Sequence, residues 1–176
     1  YYSVPDKLTL IAESAGLKID ATYCTIGSAY LSYFADATST HGKLLNEKLA
    51  EKKYDYIVLQ DNSNAGYADV KAGMDKLVPI LKQSQPQAEL LLYERYSSNS
   101  DPAQRFGSAR KHYINYTRLS REHGLTVSPA ATSFLICTEK YPEINLYATD
   151  NSHHSKEGSY LIACCMYTAI TGKSPV

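Results

Sequence analysis

Apolar positions recur along the chain with two periods, and the switches between them predict the order of elements. After Pro5, the residues Leu8, Ile11, Ala12 and Ala15 fall at helical spacing up to Gly16, which predicts a first helix. Leu17 to Ile26 carries β-branched residues in period-two alternation and stops at Gly27-Ser28, which predicts a strand that turns at Gly27. Leu44, Leu45 and Leu49 share one face of His41 to Lys52, a second helix, and the short apolar run Tyr54 to Gln60 reads as a buried strand. Asp61 to Gly66 is a loop by composition. Val70, Met74, Leu77, Val78 and Leu81 then mark a helix in which Pro79 is a candidate kink and which Gln85-Pro86 ends. Ala88 to Tyr93 predicts a third strand, Ser97 to Pro102 a loop, and Ala103 to His123 a long helix closed by Gly124. Leu125 to Val127 begins the last strand, and Tyr160 to Ala169 is the last helix.

Parallel strands need crossover helices, so this alternation implies an α/β fold. The expected architecture is a three-layer α/β/α sandwich around a parallel, doubly wound, flavodoxin-like sheet. With 176 residues, 44% of them apolar, the chain is long enough for one domain with a proper core, taken to span 1–176.

Charge and cysteine content narrow the function classes. Eighteen basic residues balance eighteen acidic ones, with no basic run, so nucleic acid and anionic membranes are not expected partners. No apolar run approaches the roughly 18 to 20 residues that span a bilayer, and no signal-like segment opens the chain, which leaves its compartment open. Cys24, Cys137, Cys164 and Cys165 lack C-x-x-C spacing and read as buried free thiols. Sixteen tyrosines against three phenylalanines and no tryptophan supply amphipathic rings for the core, and for a sugar-binding cleft to a lesser extent.

The chemistry concentrates between Leu146 and Ala163. Asp150 and His153 stand three residues apart on a polar loop just ahead of the last helix. There Asp150 can hold one ring nitrogen of His153 and stabilise its imidazolium, while the other nitrogen takes a proton from a nucleophile. The competing explanation is that Asp150, Ser152 or Ser155 caps the helix. Adjacent side chains on a loop diverge, so the base is assigned to His153 and not to His154. Metal-dependent hydrolysis by Asp150, His153 and His154 is weaker, because His41, His112 and His123 show no ligand-type spacing and read as solvated surface residues. No metal or cofactor is therefore expected. Two loops that follow strands could supply donors to an oxyanion: Gly27 with Ser28, and Asp61-Asn62. Glu94-Arg95 and the Tyr96 to Asp101 loop follow a strand as well and could touch substrate.

The pattern D-x-x-H-x-S-x-x-G-S-Y-L-x-A from Asp150 to Ala163, followed by T-G-K-S-P up to Pro175, resembles the C-terminal block of the SGNH (GDSL-like) serine hydrolases, in a poorly characterised bacterial branch. His154 stands where relatives commonly carry proline, which makes the loop less rigid. Ile57 to Ser63 resembles the family's third block, with Asn62 in its asparagine position as oxyanion donor and Gln60 replacing its glycine as a second candidate donor. Asp-Asn-Ser is also ordinary turn chemistry. Gly27 matches the second block by position only.

The resemblance implies a carboxylic ester hydrolase or deacetylase that uses a Ser-His-Asp triad on a small ester such as an acylated sugar. In that branch the nucleophile precedes a Tyr-Tyr and a Pro-x-x-L helix, as at Tyr1, Tyr2, Pro5 and Leu8, so the serine is expected upstream of residue 1 and the first strand of the sheet with it. Such an N-terminally truncated domain would be inactive by itself. Without that strand, the strands of Ile19 and Ile57 would face an unpaired gap, at about 1 to 3 kcal/mol per buried unsatisfied group. Ser3 lacks a strand or glycine elbow ahead of it and is rejected as nucleophile. The alternative is a non-catalytic ligand-binding module on the same fold; the oligomeric state is left open.

Overall fold

The computed structural model describes residues 3–97 and 102–175. Tyr1, Tyr2 and residues 98–101 of the loop expected to touch substrate lie outside them. The fold is mixed α/β: a small parallel sheet with seven α-helices among the described residues. The chain divides into two compact units. One contains the chain up to Ala21, Tyr93–Thr117 and everything from Val127 on; the other contains Thr22–Leu92 and Arg118–Thr126.

In the first unit, α1 (Val4–Ser14) packs along α7 (Lys156–Thr171). Leu8, Ile11 and Ala12 form one buried stripe of α1, and Ile162, Ala163, Met166 and Tyr167 form the matching stripe of α7. Ser3 caps α1, its hydroxyl accepting from Asp6 N at 3.3 Å, which frees Pro5 to sit in the first turn where no N–H is needed. The unit also holds the start of α5 (Arg105–His123) and a helix that periodicity does not reveal, α6 (Ala130–Lys140). Pro129 precedes α6 and offers no side-chain cap. Glu94 does this work from elsewhere in the chain: its carboxylate accepts from Thr132 N and Thr132 Oγ1, both at 3.3 Å, and its carbonyl from Ala131 N at 3.2 Å. Glu94 is 1% exposed, which corrects the expectation that it meets substrate.

β1 (Tyr56–Leu59) pairs in parallel with β2 (Glu89–Tyr93), Ile57 opposite Leu90 and Leu59 opposite Leu92, and these paired residues belong to the second unit. The strand order is β1-β2-β3, with β3 at Thr126–Ser128. The central strand β2 buries Leu90, Leu91, Leu92 and Tyr93 in succession, as a strand covered on both faces must. β1 differs from the buried strand expected, because Tyr56 and Val58 are exposed while Leu59 is buried: among the described residues it lies at the edge of the sheet.

The strand expected over Leu17 to Ile26 joins no ladder among the described residues. Alternating exposure persists from Tyr23 to Ile26, but a strand needs a neighbour's N–H and C=O groups to be one. The turn that follows has Gly27 and Ser28 at its centre, closed by Ala29 N to Ile26 O at 3.3 Å, and it is Ser28, at φ 59, that takes the left-handed conformation. Next comes the short helix α2 (Leu31–Phe34), then α3 (Thr40–Glu51). α2 rests on α4 (Tyr67–Ser84) at Gly73, where a Cβ would stand 2.7 Å from Leu31 Cβ. Pro79 lies inside α4, which continues to Ser84.

None of the three histidines read as solvated is fully exposed; His41 packs on the rings of Tyr33 and Phe34, each 5.3 Å away. His112 is partly buried, its Nδ1 2.5 Å from Arg95 O; the carbonyl can only accept, so Nδ1 carries the proton. His123 is mostly covered, with Nε2 3.3 Å from Asp75 Oδ1. His112 is held by an acceptor far along the sequence, whereas His123 Nε2 is buried beside Asp75 without a hydrogen bond among the described residues. All four cysteines are free, but only Cys165 is fully buried.

Candidate active site

The loop from Leu146 to Ser155 is a miniature antiparallel hairpin. Ser155 N donates to Leu146 O at 2.9 Å and Ala148 N to His153 O at 2.8 Å, with Tyr147 bridged to His154. Between these rungs the chain reverses at Ala148–Asn151, closed by Asn151 N to Ala148 O at 2.9 Å, with Asn151 at φ 53, a left-handed position that asparagine tolerates.

Asp150 sits in this turn and uses both oxygens. Oδ1 accepts from the backbone N–H of Ser152 and of His153, each at 2.9 Å. Oδ2 lies 2.7 Å from His153 Nδ1. The ionised carboxylate only accepts, so Nδ1–H is the donor and, in the neutral ring, Nε2 on the far side holds the lone pair. The His153 side chain is 50% exposed and that of Asp150 40%, which leaves the ring accessible to a reacting group.

The helix-capping explanation and the Asp–His contact both hold, on different residues. Ser155 caps α7, its Oγ accepting from Gly158 N at 3.0 Å and donating to Asn145 O at 2.6 Å. Gly158 lets the helix and the loop touch: a Cβ there would strike Leu146 O and stand 3.1 Å from both His154 Cβ and Phe134 Cζ. The spacing H-x-S-x-x-G thus encodes how the loop is seated, a role that the sequence pattern contains but periodicity does not disclose.

His154 faces the protein. Its Nδ1 is 2.6 Å from Ser159 Oγ, and its ring meets Tyr96 edge-on at 6.1 Å. Burial lowers its pKa from the ordinary imidazole value. Tyr96 stacks on Phe134 at 4.4 Å and meets Tyr147 edge-on, and Tyr147 Oη donates to Ser97 O at 3.0 Å. Burial pushes the Tyr96 hydroxyl up to about 12, so it stays protonated. These contacts hold the His154 ring against the protein.

The oxyanion candidates belong to the second unit. Asn62 Nδ2 donates to Ser28 O at 2.7 Å, and Asn62 Oδ1 accepts from Asn64 N at 2.8 Å. Asn62 and Ser28 are therefore brought together, with one amide hydrogen committed to Ser28 and the second available by valence. Gly27 is exposed, with open space where a Cβ would stand, and Gln60 is exposed. The sequence places Asp61 in the Asp61-Asn62 loop expected to supply oxyanion donors, but does not disclose that its own side chain is buried beside Asn62. No group of three or more metal-ligating side chains occurs among the described residues.

No family model matches the sequence, and no curated protein matches it. Solved structures do. A protein of Slackia heliotrinireducens, provisionally assigned to the SGNH hydrolases, is similar at a TM-score of 0.73 and 18% identity, over 94% of this chain and 90% of that one. A DUF4886 family protein from Bacteroides uniformis matches at 0.74 and 16%, over 94% and 76%. A protein of Parabacteroides merdae, provisionally assigned as a GDSL-like lipase, matches at 0.68 and 15%, over 96% and 79%. The fold of this chain is that of the SGNH/GDSL-like superfamily.

Proposed function

We propose that the chain carries the acid and base of a serine hydrolase that cleaves a carboxylic ester, such as an acetyl or short acyl group on a carbohydrate, through an acyl-enzyme. The observation that carries this reading is the Asp150–His153 pair, 2.7 Å apart and half exposed on a loop whose backbone is tied at both ends. In this scheme His153 Nε2 takes the proton from a serine hydroxyl as it attacks the ester carbonyl, and Asp150 stabilises the imidazolium that forms. His153 then returns the proton to the leaving alcohol, and water repeats the cycle on the acyl-enzyme. Asn62 is assigned as oxyanion donor, with the Gly27-Ser28 backbone and Gln60 as further candidates. The nucleophile is assigned, from the resemblance, to a serine preceding Tyr1. Ser3, whose hydroxyl caps α1, is not that group.

Covalent labelling tests this reading. A fluorophosphonate probe phosphonylates a serine only when a base activates it, so the full-length protein should be labelled at one serine, and labelling should be lost in His153→Ala. Absence of labelling in a folded full-length protein would favour a ligand-binding module on the same fold.

A further inference from the structure

Asp61 follows β1 by two residues and turns its carboxyl inward, where it is 4% exposed. Oδ1 accepts from Asn62 N at 2.7 Å and from Leu31 N at 3.1 Å, thirty positions away in the sequence. Leu31 opens α2, whose N-cap Tyr30 gives no side-chain bond, so Asp61 satisfies an N–H that the helix itself leaves open. One residue later, Asn62 Nδ2 donates to Ser28 O at 2.7 Å. The Ser28–Leu31 segment is thus fastened to the Asp61-Asn62 turn at two points. It also holds Ser28 at φ 59, a conformation that a non-glycine residue adopts at a cost.

Asp61 Oδ2 is buried with no hydrogen-bond partner among the described residues. Burial raises this carboxyl above its ordinary value, and Asp69 adds to the effect. A group kept inside at this cost, with one oxygen serving two separate segments, fixes their mutual geometry.

We propose that Asp61 is the positioning residue of the Asn62 loop: its carboxyl sets Asn62 and the Ser28–Leu31 segment in one arrangement, and the donor function of Asn62 depends on it. The proposal rests on the assignment of Asn62 as oxyanion donor, and it acts through Asn62, since the Asp61 carboxyl is buried and engages Asn62 N and Leu31 N. An oxyanion donor works by being in place before charge develops, so loosening its support costs turnover more than substrate binding.

The test combines amide hydrogen exchange with steady-state hydrolysis of p-nitrophenyl acetate, in the full-length protein and its Asp61→Ala and Asp61→Asn variants. In Asp61→Ala, the Leu31 and Asn62 amides should exchange at least about tenfold faster, and kcat should fall by at least about tenfold with KM little changed. Asp61→Asn keeps the acceptor oxygen and should recover most of both. Unchanged exchange in a folded Asp61→Ala overturns the proposal, as does unchanged kcat in an active enzyme. If Asp61→Ala does not fold, Asp61→Asn decides alone: retained protection at both amides supports the clasp, and lost protection overturns it. Faster exchange in Asp61→Ala, with no hydrolysis even by the parent protein, supports the clasp and tells against the hydrolase reading instead.

Discussion

Asp150 holds His153 at two points with one carboxylate: Oδ2 lies 2.7 Å from the ring Nδ1 and Oδ1 2.9 Å from the backbone N–H of the same residue. Ring orientation and loop conformation are thereby set together. Asp150→Asn should disturb both, because an amide placed toward Nδ1 favours the wrong tautomer. Ester hydrolysis should drop by about two orders of magnitude or more while the fold persists. Parallel kcat and circular dichroism measurements on the full-length variant check this; full activity would mean that the contact is only a turn.

Gly158 seats the loop on α7, and any Cβ there collides with Leu146 O. Gly158→Ala should cost roughly 1–3 kcal/mol of stability. It should also lower hydrolysis, since Leu146 anchors the first rung of the hairpin that carries Asp150. Thermal unfolding and turnover, measured on one preparation, should fall together; an unshifted Tm would show that the loop has room to move.

Ser3→Ala removes the cap of α1. The expected effect is a loss of about 0.5–2 kcal/mol in stability, read as a modest fall in Tm, with hydrolysis per folded molecule unaltered. If the change abolished acylation instead, the nucleophile would be Ser3.

Burial holds the imidazoles of His112 and His154 below their ordinary value. As pH falls below about 6.5, the unfolded chain binds protons that these folded imidazoles refuse. Their contribution to stability is therefore complete above that pH and is lost as pH falls towards their folded values. The buried carboxyls of Asp61 and Glu94 are raised, and they act in the opposite sense at lower pH. Comparing variants isolates the histidine part: His112→Gln should flatten the decline of Tm between about pH 7 and pH 5 relative to the parent. Equal slopes would contradict it.

What could be read from the sequence follows the range of the interactions. α1, α4 and α7 were legible because each buries one stripe at helical spacing, and Asp150–His153 because its contacts close within three residues. α6 was not: Phe134-Leu-Ile-Cys137 is a continuous apolar run, and its N-terminus is capped by Glu94, far upstream. α2 is four residues long, too short to show a period, and is held by Asp61 across thirty positions. The Leu17 to Ile26 segment has the composition of a strand, but composition does not supply the ladder.

In the proposed reaction His153 and not His154 is the base, and p-nitrophenyl acetate hydrolysis by the full-length protein tests this most directly. His153→Ala should remove nearly all turnover, about three or more orders of magnitude, and His154→Ala should retain turnover while lowering Tm through the lost Ser159 and Tyr96 contacts. Turnover that survives in a folded His153→Ala but disappears in a folded His154→Ala would contradict it.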